Sequence, residues 1–154
     1  MITTMSSLLA IDPGSNLTGL AFFIDNKLVA TKTLTTDKAT PLERRLDIAD
    51  KLSVFIETVD NVASEEPFLL GQNNNAMQRL LGYIEILTNG KVKLIHPMRL
   101  KAYTGSGSND KLEMALAIGE KLSEDEQEIL AEAVSREAFD ESDAVCVGLW
   151  ALNR

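Results

Sequence analysis

The sequence predicts an α/β fold: a mixed five-stranded sheet, opened by an antiparallel hairpin and flanked by helices. Three observations predict it. The apolar run Leu8-Leu9-Ala10-Ile11 stops at a single carboxylate, Asp12, and the turn residues Pro13-Gly14 follow at once. A second apolar stretch then leads into Asp25-Asn26, a two-residue hairpin signal. From residue 41 onward, segments of helical period alternate with short strand-like ones.

The first strand covers 8–11, too short for a helix, and places Asp12 where a buried sheet meets solvent. Pro13 presets its φ, and Gly14 is expected to supply the positive φ of a tight turn. Thr18-Gly19 open the second strand, 20–24, and the third spans 27–33, with half-polar Leu28 to Thr33 suiting an outer position. Residues 35–40 read as loop. Pro41 suits a first helical turn, and Leu42, Leu46, Ala49, Leu52, Ile56 and Val59 recur at helical spacing. Residues 61–66 make a weak strand that Pro67 ends. After a polar loop, Ala76, Met77, Leu80, Leu81, Ile84 and Leu87 stripe a helix over 75–88, stopped by Asn89-Gly90. Residues 91–95 form the fifth strand, with His96 as a loop residue at its end. Residues 104–109 are a polar loop, Asp110 caps a helix over 111–122, and Ser123 with Glu126 forms a capping box. Residues 140–152 read as the terminal helix.

With 154 residues, a single domain over 1–154 is expected. One cysteine, Cys146, excludes an internal disulfide framework and suits a reducing cytosol; it reads as a small core residue. No stretch has a signal-peptide pattern or approaches a membrane span, so a cytoplasmic location with no membrane partner is expected. The net charge of −8 is local. Residues 120–143 hold ten acids and two bases, while the remaining thirteen acids and thirteen bases cancel. Between Lys91 and Lys111 five bases face one acid, Asp110, so overall acidity does not exclude a polyanionic partner. Lys91 and Lys93 by themselves read as the solvated face of an edge strand.

Asp140 and Asp143 lie three apart at a helix start and so share one face, roughly 5–6 Å apart. Ala144, Val147, Gly148 and Ala151 continue that face, which directs both carboxylates inward and leaves Glu141 on the expected solvent side. Strand alternation aims one of Glu65 and Glu66 at the same sheet end as Asp12. No lysine is obliged to neutralise the group. Carboxylates about 5 Å apart repel by about 3 kcal/mol per pair at an effective dielectric near 20, so four together call for bound cations. All-oxygen ligands select Mg²⁺ or Mn²⁺ over Zn²⁺, and two such ions about 4 Å apart suit in-line attack of water on a phosphodiester.

Four pieces in order, Ile11-Asp12-Pro13-Gly14-Ser15 with Thr18-Gly19, Glu65-Glu66-Pro67-Phe68, Thr104-Gly105-Ser106-Gly107 leading to Lys111, and Asp140-Glu141-Ser142-Asp143-Ala144, resemble RuvC-type Holliday junction resolvases of the ribonuclease H-like superfamily. The small acidic form most resembles versions carried by bacteriophages, which would work in the host cytoplasm. The resemblance implies a ribonuclease H-like nuclease domain whose Asp12, Glu65, Asp140 and Asp143 are catalytic and hold two Mg²⁺ ions per site, with Mn²⁺ as substitute. It implies paired symmetric nicks in four-way junctions, made by a homodimer assembled through residues 75–88, with Leu69, Leu70 and Tyr83 as further apolar surface. It places Phe68 at the junction centre, and Lys101, Lys111 and the loop Gly105-Ser106-Gly107 at the DNA. Taken alone, Phe68 reads as a core ring.

Three other readings compete. A related nuclease would act mainly on other branched DNA, forks or flaps. A binding module would recognise junctions without cutting, but all four acids are present. The Asp12-x-Gly14-x-x-x-Thr18-Gly19 pattern also resembles the first phosphate loop of actin-like ATPases, whose second domain 154 residues leave no room for.

Overall fold

A computed structural model describes residues 6–14, 16–67, 74–105 and 110–154. Five strands, β1 (Ser7–Asp12), β2 (Leu17–Ile24), β3 (Lys27–Thr35), β4 (Asn61–Glu65) and β5 (Lys93–Ile95), form one sheet in the order β3-β2-β1-β4-β5. β1 and β2 pair antiparallel, as do β2 and β3, whereas β4 joins β1 and β5 joins β4 in parallel. The sheet is therefore mixed, as expected. Asp25 and Asn26 carry φ of 48° and 69°, the paired positive values of a type I′ hairpin turn.

Alternation along β1 explains the layers. Leu9 and Ile11 face α1 (Pro41–Ile56) and α2 (Asn74–Leu87), where they meet Ile48, Leu52, Leu80 and Ile84. Leu8 and Ala10 face the opposite side, against Leu100, Ile118, Leu130 and Val145. Those four residues come from α3 (Pro97–Thr104), α4 (Lys111–Gly119), α5 (Glu124–Ser135) and α6 (Phe139–Ala151). The sheet is thus sandwiched between two helical layers, each burying one face of the same strands. Among the described residues, no helix is long and apolar enough to cross a membrane.

Several expectations change. α3 occupies a segment not read as helix. His96 is its N-cap, its Nδ1 accepting from the Met98 N–H at 3.1 Å, and Pro97 fills the first turn. Gly14 does not adopt positive φ. It is required because a Cβ there would lie 2.0 Å from the Leu17 carbonyl oxygen. The Thr18 hydroxyl, fully buried, ties this turn by donating to the Gly14 carbonyl at 2.9 Å.

Glu141 is the clearest reversal. It is 1% exposed, and its carboxylate accepts from both Arg136 guanidinium nitrogens, at 3.0 and 3.2 Å, and from the Thr31 and Thr33 hydroxyls. The helix start is thereby pinned to β3, and the charge that was expected in solvent is buried because it is paired.

A second buried carboxylate, Glu126, holds α5 in place. It accepts from the Leu28 N–H at 2.7 Å and from Arg154 at 2.6 and 2.8 Å. The Arg154 hydrogen bonds, first among these causes, hold its carboxyl at about 2. A folded value below the ordinary one of 4.5 means stability that is present above pH 4.5 and lost as pH falls toward 2. Glu126→Gln is expected to cost about 3 kcal/mol at neutral pH and to flatten this acid limb, as read by urea unfolding across pH.

Candidate metal centre

The site forms at the end of the sheet where β1 and β4 finish side by side. Their parallel register pairs Ile11 with Ser64, so Asp12 and Glu65 are the next residues along each strand. The two carboxyls adjoin, and each shifts the titration of the other. Of the two adjacent acids, Glu65 adjoins Asp12, whereas the Glu66 N–H donates to the Ile95 carbonyl at 2.8 Å.

α6 brings the remaining acids. Its start can approach β2 because position 19 lacks a side chain; a Cβ there would lie 1.9 Å from the Asp140 carbonyl oxygen. Gly19 is also the register partner of Asp12. The contact that admits the helix therefore sits opposite the strand's terminal carboxylate. As a result, one carboxylate oxygen from each of Asp12, Asp140 and Asp143 lies within 4.8 Å of the others.

Electrostatics mark these acids as crowded. Burial first, then the Glu65, Asp143 and Asp140 charges, push the Asp12 carboxyl well above the ordinary aspartate value. Glu65 is raised mainly by burial, against the opposing pull of its Asp12 hydrogen bond and of Lys111 and His96. Asp140 is raised by burial and by Asp143. Contrary to the expectation that no lysine need be near, the Lys111 Nζ lies 2.8 Å from Asp143 Oδ2. Burial works against its ammonium, but the Asp143 hydrogen bond and the neighbouring acids outweigh it and raise its pKa.

One ammonium, Lys111, offsets part of the site's negative charge. It stands where cationic charge is wanted, and the donor set is entirely oxygen, which fits a hard divalent cation held by Asp12, Asp140 and Asp143 with Glu65 beside them. Lys101 and Lys111 line an adjoining cleft of about 380 Å³. Gly105 ends α3 in the left-handed conformation, with φ of 68°. Phe68, Leu69, Leu70, Ser106 and Gly107 lie outside the described residues. Cys146 is buried, and burial first of all pushes its thiol up to about 12, consistent with a core residue. Sequence reasoning missed the Lys111–Asp143 pair, which joins positions 32 apart; a lone lysine one residue after an N-cap carries no local sign of its partner.

No family model and no curated protein sequence matches this chain. Solved structures do. RuvC of Thermus thermophilus, in complex with a Holliday junction substrate, is 20% identical at a TM-score of 0.63, covering 94% of this chain and 90% of that one. The Fowlpox virus resolvase in complex with Holliday junction DNA is 16% identical at a TM-score of 0.58, covering 96% and 97%. The chain therefore has the ribonuclease H-like fold of these resolvases over nearly its whole described length.

Proposed function

We propose that this chain is a metal-dependent endonuclease that resolves four-way DNA junctions. The observation that carries the reading is the convergence of Asp12, Asp140 and Asp143 within 4.8 Å, with Glu65 beside Asp12, at the strand ends of a resolvase-like fold. These four acids are the catalytic set, and they would hold two Mg²⁺ ions, with Mn²⁺ as a substitute. Such ions supply an activated water and stabilise the leaving oxygen of a phosphodiester. The chain's own residues orient and neutralise. Asp12 stands on a rigid strand, Asp140 and Asp143 on a helix pinned by Glu141, and Lys111 holds positive charge where a phosphate enters. Lys101, on the cleft wall, adds to that charge, and residues Gly105, Ser106, Gly107 and Phe68 are assigned to the DNA.

Symmetric nicks need two sites related by a two-fold axis, hence a homodimer. Apolar side chains on α1 and α2 support one: Leu42, Leu46, Tyr83 and Ile86 are exposed, Ile86 at 74%. Ile86→Asp is expected to give monomers in sedimentation and to turn paired nicks into single ones on a circular junction substrate. Unchanged mass and coupled nicking would place the dimer elsewhere.

Cleavage of junction, fork, flap and duplex at matched concentration tests the function. Junctions are expected to be cut fastest, and only with Mg²⁺ or Mn²⁺. Faster cutting of forks or flaps would reassign the substrate, and cutting undiminished in EDTA would overturn the metal-dependent reading.

A further inference from the structure

The cleft beside the acids has a mixed lining. Glu65, Asp143, Lys101 and Lys111 bring charge to it, while Pro97, Met98, Leu100 and Met114 give it an apolar wall. Met98 is 59% exposed, an unbranched apolar side chain left in water next to a charged centre. Its position is set, because its own N–H donates to the His96 ring that caps α3. Met114 faces the same space from α4 and is half-buried.

Such a wall offers nothing to a phosphate. It does suit the flat face of a heterocycle, since a thioether is polarisable and packs well against aromatic rings. The volume, about 380 Å³, is at the low end for small-ligand sites and on the scale of one nucleoside. A group one bond from a phosphate held at the acids is a deoxyribose with its base. Where strands branch, the continuity of stacking is broken, so drawing a base out of the stack costs less there than within a duplex.

Resting on the reading as a junction nuclease, we propose that the α3–α4 cleft takes up one unstacked nucleobase adjoining the scissile phosphate, clasped between Met98 and Met114. The Pro97, Met98, Leu100 and Met114 side chains bear no N–H or O–H to read a base edge. That apolar clasp therefore admits an unstacked purine or pyrimidine alike.

The test uses four-way junctions carrying 2-aminopurine on one or the other side of the scissile phosphate, bound by Asp12→Asn protein so that the DNA stays whole. Fluorescence at one of the two positions is expected to rise on the order of threefold as the base leaves its stack. Met98→Glu should abolish the rise and Met98→Leu should keep it, with melting temperatures unchanged because the side chain is exposed. An abasic nucleotide at the responding position should lower wild-type kcat/KM about fivefold. Saturated binding with no rise at either position would overturn the proposal while leaving junction cleavage intact. So would a rise that survives both Met98→Glu and Met114→Ala. If the wild-type protein neither binds nor cuts junctions, the functional reading fails and this inference fails with it.

Discussion

Asp12→Asn is expected to reduce Mg²⁺-dependent cleavage by at least about a thousandfold while leaving junction binding in place, because it removes the ligand on which the other acids converge. Its effect on stability has the opposite sign. Asp12 titrates well above its ordinary value in the folded chain, so the folded state binds more protons than the unfolded state once pH passes about 4. Stability then falls as pH rises through the folded value. The asparagine variant escapes that loss. Lys111 already relieves part of the repulsion, so the gain in EDTA at neutral pH should be on the order of 1 kcal/mol, a rise in Tm of about 3 °C. The two proteins should converge at pH 3. Mg²⁺ should raise the wild-type Tm and leave the variant nearly unmoved. Calorimetric scans across pH, with and without metal, read all of this; parallel curves at every pH would count against a crowded site.

Gly19→Ala should be the most damaging single methyl group in the chain. The added carbon would lie 1.9 Å from the Asp140 carbonyl oxygen and 2.9 Å from the Glu141 nitrogen, both backbone atoms that cannot swing aside. Helix α6 must retreat, and it carries Asp140 and Asp143 with it. A cost of about 3 kcal/mol is expected, a fall in Tm on the order of 10 °C. Mn²⁺ affinity should weaken more than tenfold even at temperatures where the variant is folded, since the ligands no longer meet. Calorimetric Mn²⁺ titration of folded variant checks this, and wild-type affinity would show that Asp140 reaches the site without the close approach.

What was legible in the sequence followed from local patterns. The β1–β2 hairpin, the α1 stripe and the capping box at Ser123 each announce themselves within a few residues. The inward direction of Asp140 and Asp143 was legible from Ala144 and Val147 on the same face. What stayed hidden depends on distant partners. Glu141 looked like a solvated acid because Arg136, Thr31 and Thr33, which make its burial tolerable, come from another element or lie a hundred residues away. Lys111 gave no sign of Asp143 for the same reason. Helix α3 was missed because eight residues give barely two turns of periodicity, and a histidine is an uncommon cap. That Glu65 is the acid beside Asp12 depends on the register of β4 on β1, which no residue within β4 encodes.

The ligands come from β1, β4 and α6, and α6 packs against strands made more than a hundred residues earlier. During synthesis, the chain therefore presents Asp12 and Glu65 long before Asp140 and Asp143 emerge. A partly made or partly unfolded molecule holds only half of the acids and has no gap at Gly19 yet filled. On the proposed reading, the ability to break DNA would accordingly be the last property this fold acquires, a safeguard written into chain order.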